Sequence, residues 1–175
     1  MAADLFVVPT VTFRLLFVLV ILAHDRRRIV HVAVTEHPTA AWTAQQLRNA
    51  FSENDAPNYL LHDRDSVFAD VATTIAGMVT AAVRTAPRSP WQNAYVERVI
   101  GSIRRECLDH VIVFNAAGLR RVVAAYIAYY MRSRTHLALG KDTPDRRPVT
   151  PLSAGGIVAI PEVGGLHHRY DRIAA

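Results

Sequence analysis

Three acidic residues lie at positions where a carboxylate is typical of a catalytic or metal-binding site. Asp4 interrupts the apolar run from Ala2 to Val8, Asp63 directly follows a short apolar segment, and Glu97 lies within a periodic, amphipathic segment. A charge inside a buried strand needs a partner or a metal ion. Carboxylate oxygens are the ligands that hard divalent cations prefer. The sequence therefore predicts one metal site to which three separate parts of the chain each contribute an acid.

The element that must position Glu97 is a helix that begins after Pro90. Pro87 and Pro90 exclude a regular helix before them, and Asn93 is placed to cap the helix that follows. Glu97 and Arg104 lie together at the border of its apolar face. An ordinary amphipathic helix with a solvated Glu–Arg pair explains the same pattern, so the helix alone does not decide the function. The apolar face comprises Val96, Val99, Ile100, Ile103 and Cys107.

Five segments rich in Val, Leu, Ile, Ala or Phe predict β-strands. Three of them follow one another at the beginning of the chain: Leu5–Val8, Phe13–Ala23 and Ile29–Val34. Tyr59–His62 predicts a fourth strand and Thr80–Arg84 a fifth. The second segment is apolar on both alternating faces, so we expect helices to pack on both sides of the sheet.

Helical periodicity fills most of the remaining chain. One predicted helix follows a cap at Thr39 and ends at residues 52–57, and a second covers Ser66–Met78. A later helix begins at Asn115, and its apolar face closes the core. Arg132 lies at the end of that helix, where its side chain is either solvated or in contact with a phosphate. Strands followed by alternating helices and strands predict an α/β fold with a mixed central sheet of about five strands, flanked by helices.

Composition favours one globular domain with a nucleic-acid partner. The chain has 175 residues, of which 51% are hydrophobic and 20% charged, and its net charge is +5. An excess of arginine suits a polyanion, although solvated surface charge explains it as well. The single cysteine, Cys107, excludes an internal disulfide and predicts a reducing compartment. The longest apolar run, Leu15–Ala23, has nine residues, whereas a membrane-spanning helix needs about 20.

These acids and their surroundings resemble the DDE integrase catalytic core of bacterial insertion-sequence transposases, which is related to retroviral integrases. Three motifs carry the resemblance: S-P-W-Q-N-A-Y-V-E-R at Ser89–Arg98, I-R-R-E-C-L at Ile103–Leu108, and Y-Y-M-R-S-R-T-H-L-A-L-G-K-D-T-P at Tyr129–Pro144. The resemblance implies a ribonuclease-H-like fold. It places the catalytic core at residues 1–144 and leaves 145–175 as an irregular C-terminal tail.

The resemblance also implies a reaction and the residues that serve it. Asp4, Asp63 and Glu97 would be the catalytic residues and would bind two Mg²⁺ ions, or Mn²⁺, for DNA strand cleavage and strand transfer. The partners implied are transposon ends, target DNA and further copies of the chain, in a bacterial cytoplasm and at the nucleoid. Gln92 and Asn93 have a second interpretation, which is to fix the start of the helix. The expected DNA-binding residues are Arg88, Gln92, Asn93, Tyr95, Arg104 and Arg105.

A second function from another class remains open at this point. A catalytically inactive transposase remnant would bind DNA nonspecifically or associate with full-length transposase. Only three residues precede Asp4, so we expect a shortened first strand, and the sequence carries no helix-turn-helix for end recognition. Asp65 also departs from relatives, which commonly carry glycine there. A cellular ribonuclease-H-like nuclease is disfavoured, because the motifs resemble transposases.

The C-terminal tail shows turn signals and little else. Prolines and two glycine pairs, Gly155-Gly156 and Gly164-Gly165, predict irregular structure. Ile157–Ile160 predicts one short strand. His167 and His168 are adjacent, but we do not predict a metal site from them.

Overall fold

The computed structural model describes residues 1–51 and 56–174, with only the backbone of Pro90. Five strands form one mixed sheet in the order β3-β2-β1-β4-β5. β2 is antiparallel to both of its neighbours, β1 and β3, whereas β4 is parallel to both β1 and β5. The strands are β1 (Ala2–Pro9), β2 (Leu15–Ala23), β3 (Arg28–Thr35), β4 (Tyr59–His62) and β5 (Ala81–Arg84). All five predicted strands are therefore present, with small shifts at their ends.

Four α-helices cover the two faces of this sheet. They are α1 (Ala40–Ala50), α2 (Val71–Ala76), α3 (Ala94–Glu106) and α4 (Ala116–Arg132). α3 and α4 pack on the face that carries Val18 and Val20 of β2. α1 and α2 pack on the opposite face, which carries Leu19 and Ile21. The prediction that both faces of β2 are buried is confirmed.

Two predicted helix caps are present. The Thr39 hydroxyl accepts a hydrogen bond from the Trp42 amide at 3.1 Å and begins α1. The Asn115 side chain accepts one from the Gly118 amide at 2.8 Å and begins α4. The predicted end of α1 at 52–57 falls partly on residues 52–55, which lie outside the described residues. The predicted helix at 66–78 is instead a 3₁₀ turn followed by the shorter α2.

The C-terminal tail differs from the prediction of irregular structure. An antiparallel hairpin forms from β6 (Gly156–Glu162) and β7 (His167–Ile173). It docks on α4, where the His167 ring stacks on Tyr129 with centroids 4.3 Å apart. The sequence of β7 hides this strand, because its residues are mostly polar and lack an apolar alternation. The predicted core boundary at residue 144 stays a prediction.

In the part of the chain that the structure describes, no helix combines the length and the apolar character needed to cross a bilayer.

Candidate active site

The register of two parallel strands brings Asp4 and Asp63 side by side. Ala2 of β1 pairs with Leu61 of β4, and the Leu61 amide donates to the Met1 carbonyl at 2.9 Å. Asp4 and Asp63 each lie two residues beyond this pair. Because side chains alternate along a strand, this offset returns both residues to the same side of the sheet. That side is the one on which α3 packs.

α3 supplies the third acid, since Glu97 lies in its first turn. The helix start is fixed to the sheet by Asn93, whose side-chain amide donates to the Ala3 carbonyl at 3.3 Å. Asn93 occupies the N-cap position of α3, as predicted, but within the described structure its side chain makes no capping bond. The chain enters α3 through the 3₁₀ turn Pro90–Asn93, so this side chain faces β1 instead. Asn93 is only 4% exposed, which favours the interpretation that it positions the helix.

The three predicted acids line one cavity of about 410 Å³. Asp65 also lines it, so the cavity contains four carboxylates against two guanidinium groups. Its negative charge attracts cations. The charged residues of this acidic cavity are Asp4, Asp63, Asp65, Glu97, Arg64 and Arg88.

The electrostatics of Asp4 reflect this crowding. Its pKa is raised to about 7 because the carboxyl is buried, and the charges of Glu97, Asp63 and Asp65 act in the same direction. A hydrogen bond from the Leu5 amide opposes the shift but does not cancel it. A bound cation would favour the ionised form of this carboxyl. The donor set, made of carboxylates alone, suits a hard divalent ion such as Mg²⁺ or Mn²⁺.

The carboxylates are gathered but not arranged as a finished coordination sphere. Among the described residues, no three His, Cys, Asp or Glu side chains are close enough together to hold one ion. Two of the acids instead accept hydrogen bonds from neighbouring amides. Asp4 accepts from Leu5 at 2.8 Å, and Asp63 accepts from Asp65 at 3.0 Å. The fold therefore brings the acids to a shared cavity, while their oxygens are engaged locally.

Three of the predicted DNA-binding residues surround the start of α3. Arg88 lines the acidic cavity and adopts a positive φ of 55°. The Gln92 side chain accepts a hydrogen bond from the Ala86 amide at 2.7 Å, so it braces the loop before the helix. Tyr95 is half exposed, and its ring lies 5.6 Å from the Arg27 guanidinium and 5.3 Å from the ring of His24.

The other two, Arg104 and Arg105, lie farther along α3 and do not line the cavity. Arg104 donates to the Val7 carbonyl at 3.0 Å, and its guanidinium lies 5.0 Å from the ring centre of Phe6. Arg105 covers Gly101 with its guanidinium. Both arginines are exposed, so contact with DNA at these positions stays a prediction.

Two residues beside Asp63 support its position. His62 is buried, and its Nδ1 lies 2.7 Å from the Asp63 carbonyl oxygen. Arg64 was not predicted as a site residue, yet it lines the cavity and donates to the Thr85 carbonyl at 2.9 Å, which ties the Asp63 turn to β5. The sequence feature that could have predicted Arg64 as a site residue is its position between two acids, in Asp63-Arg64-Asp65.

Similarity to a known protein family falls on the part of the chain that carries Glu97. Residues 80–144, which include Glu97 and all of α3, match the family model of the integrase core domain. Asp4 and Asp63 lie outside the matched segment. No curated protein sequence matches this chain significantly.

Solved structures confirm the predicted ribonuclease-H-like fold of this chain. A chain of the simian T-cell lymphotropic virus intasome, in complex with PP2A regulatory subunit B56 gamma, superposes with a TM-score of 0.66 at 12% identity. That match covers 97% of this chain and 64% of the simian virus chain. The catalytic core domain of BIV integrase superposes with a TM-score of 0.58 at 13% identity, covering 82% of this chain and 90% of that one. An origin in a bacterial insertion sequence stays a prediction.

Proposed function

We propose that this chain is a polynucleotidyl transferase of the DDE type, which cuts DNA and joins the freed 3′ hydroxyl to a target strand. The observation that carries the proposal is the convergence of Asp4, Asp63 and Glu97 on one acidic cavity. The match to the integrase core family supports it, because that match includes the helix on which Glu97 lies.

Asp4, Asp63 and Glu97 are the residues that would hold two Mg²⁺ ions, or Mn²⁺. When bound, such ions activate an attacking water, stabilise charge on phosphorus and assist the departing oxygen. The buried Asp4 carboxyl, crowded by other acids, is the group that gains most from a nearby cation. The donor chemistry therefore fits the ions that the family uses.

Other side chains of the protein would position the substrate and the acids. Arg88, at the cavity wall, supplies a cation for a DNA phosphate. Arg64 and Asn93 hold the Asp63 turn and the start of α3 against their neighbouring strands. No Ser or Tyr nucleophile is needed, because water and then a DNA 3′ hydroxyl attack the phosphorus.

We further propose that the acting form is a homo-oligomer bound to transposon ends and target DNA. The similarity to a chain of a viral intasome supports this assembly. This chain spans 64% of that viral chain, so the parts of the viral protein beyond the match do not enter the proposal.

One observation favours a second function, that of an inactive remnant which binds DNA nonspecifically or associates with full-length transposase. Among the described residues, the acids do not form a cluster ready to coordinate an ion. A remnant of this kind would retain DNA in a salt-sensitive manner without cutting it.

A cleavage assay separates these functions. End-labelled duplex DNA is incubated with the protein and Mg²⁺ or Mn²⁺, alongside Asp63→Asn and Glu97→Gln. The matched control is Asp70→Asn, which removes an exposed acid that makes no side-chain cap for α2 within the described structure. Nicking by the parent and the control, and a loss of more than ~100-fold in both site variants, supports the transferase. Equal DNA retention without nicking by any of the four proteins supports the remnant.

A further inference from the structure

A second and larger cavity, of about 660 Å³, lies between the β6–β7 hairpin and the segment 140–150. Its charge is opposite to that of the acidic cavity. Five cationic side chains line it against two carboxylates, a formal excess of three positive charges. The five cations of this basic cavity are Arg132, Lys141, Arg147, Arg169 and Arg172.

The two carboxylates of the basic cavity are already engaged by the protein. Asp142 forms a 2.6 Å ion pair with Arg26 and accepts hydrogen bonds from two backbone amides. Asp171 accepts hydrogen bonds from the Thr150 hydroxyl at 3.3 Å and from the Arg172 amide at 2.9 Å, and its carboxylate lies 3.9 Å from the Arg169 guanidinium. Among the described residues, Arg169 is therefore the one lining cation that these two acids pair with.

Several of the cations retain their capacity to bind an anion. Arg132, Lys141 and Arg147 are exposed, and within residues 1–51 and 56–174 none of them forms a salt bridge. The other two cations are partly engaged, since Arg169 pairs with Asp171 and Arg172 donates to the Gly155 carbonyl at 3.0 Å. Arg132, Lys141 and Arg147 are therefore the cations most available to an anion.

We propose that the basic cavity binds the phosphodiester backbone of DNA, at a site separate from the acidic cavity. The identification of the polyanion as DNA rests on the proposed function, whereas the anion site rests on the cations themselves. A cavity of this size with five cations suits a run of phosphates, because duplex DNA carries about one charge per 1.7 Å of its axis. Tyr170 lines the same cavity and is 66% exposed, so its ring is available to an unstacked base.

Two further arginines and an aromatic ring lie near the basic cavity and the start of α3. Arg26 reaches the basic cavity through its ion pair with Asp142. Its neighbour Arg27 lies 5.6 Å from the ring of Tyr95, and Tyr95 is two residues from Glu97. Cationic and aromatic side chains therefore lie both beside the basic cavity and at the start of α3.

Salt-dependent binding tests this site in the full chain without any divalent ion. Labelled duplex and single-stranded DNA are titrated in EDTA at about 50 to 200 mM salt. The test variant is Arg132→Gln with Arg147→Gln. The matched control, Arg48→Gln with Arg121→Gln, removes the same charge from exposed positions outside both cavities. Thermal unfolding confirms that both variants are folded, as expected for exposed side chains.

The test variant should lose about two units of the slope of log K against log salt, and the control should keep the parent's slope. Equal slopes in test variant and control would overturn the proposal. So would full displacement of DNA by inorganic phosphate or by poly-glutamate, which would reveal a small-anion or acidic-peptide site instead.

These outcomes are independent of catalysis. If DNA binding depends on Arg132 and Arg147 but the protein does not cut DNA, the proposal for the basic cavity holds and the transferase proposal fails. If the protein cuts DNA but the test variant and the control have equal salt slopes, the transferase proposal holds and the proposal for the basic cavity fails.

Discussion

The two charged cavities of this protein are assembled in different ways. The acidic cavity is built by the central sheet and α3, where strand register fixes two acids and one hydrogen bond to β1 fixes the helix of the third. The basic cavity is built by a hairpin that docks on α4 and by an extended segment. The proposed catalytic site therefore depends on the central sheet and α3, whereas the proposed DNA-binding site depends on a hairpin at the periphery of the fold.

The largest expected effect comes from Gly155→Ala, which should disrupt the basic cavity and spare the acidic one. Gly155 has a φ of +117°, and a Cβ there would lie 2.1 Å from the Ile173 carbonyl oxygen. The backbone must move, so the hairpin should open. We expect amides 156–173 to lose hydrogen-exchange protection while β1 and β2 keep theirs, and DNA affinity to fall by about tenfold or more.

Gly164→Ala is the control for that change. Its φ is +65°, but nothing in the described structure lies within 4 Å of the added Cβ. A cost of only about 1–2 kcal/mol is expected for a left-handed alanine. Equal loss of protection in both variants would contradict the role given to the close approach at Gly155.

A network at Glu106 joins α3 to α4, and its loss should destabilise the whole domain. Glu106, at the end of α3, accepts hydrogen bonds from Tyr126 at 2.7 Å and from Arg134 at 2.6 and 2.7 Å. Glu106→Gln should cost about 2 kcal/mol, less than for a fully buried pair. Chemical denaturation measures this cost. Glu36→Gln, which breaks the exposed pair with Arg14, should cost less than about 1 kcal/mol.

The same network predicts a pH dependence. Burial alone would raise the pKa of Glu106, but the hydrogen bonds from Arg134 and Tyr126 outweigh it and lower the pKa below the usual value of 4.5. The stabilisation is therefore fully present above about pH 4.5 and is lost as the pH falls through the lowered pKa. The stability difference between the parent and Glu106→Gln should shrink below pH 4.5. A difference that grows on acidification would contradict this sign.

Divalent ions that bind at the acidic cavity should stabilise the folded protein. At about 100 times the dissociation constant, Mn²⁺ should stabilise the parent by about 2.7 kcal/mol, or several degrees in Tm. Asp4→Asn should lose this increase, because it removes the buried carboxylate among the other acids. Asp70→Asn should retain it. The same Mn²⁺ shift in all three proteins would mean that the ions bind elsewhere.

The smallest effect sharpens the description of the basic cavity. Tyr170→Leu removes the exposed ring without changing charge, so binding of single-stranded DNA should weaken by about 1 kcal/mol, roughly fivefold. Duplex binding should not change. An equal loss for both forms of DNA would indicate that Tyr170 supports the hairpin rather than a base.

Much of the acidic cavity was predictable from sequence, and its residues explain why. Asp4 and Asp63 follow or interrupt apolar strands whose patterns are strong, and the apolar face of α3 fixes where Glu97 must lie. That Asn93 fixes the start of α3 was one of its two predicted roles, but its partner was not predictable, because a side-chain bond to Ala3, 90 positions away, leaves no local signal.

The basic cavity could not be predicted from the sequence. Strand β7 reads His-His-Arg-Tyr-Asp-Arg-Ile, and no apolar alternation marks it. Its pairing with β6 and the stack of His167 on Tyr129 are tertiary contacts. Only the density of arginine after residue 131 hinted at charge, and it did not indicate which side chains would meet.

The most direct test of the central claim is to locate Mn²⁺ by anomalous diffraction in crystals of the protein soaked with the ion. We predict density among Asp4, Asp63 and Glu97, and its loss in Asp63→Asn. Density at other sites, with none within reach of these three carboxylates, would contradict the proposal that they hold the ions for DNA cutting.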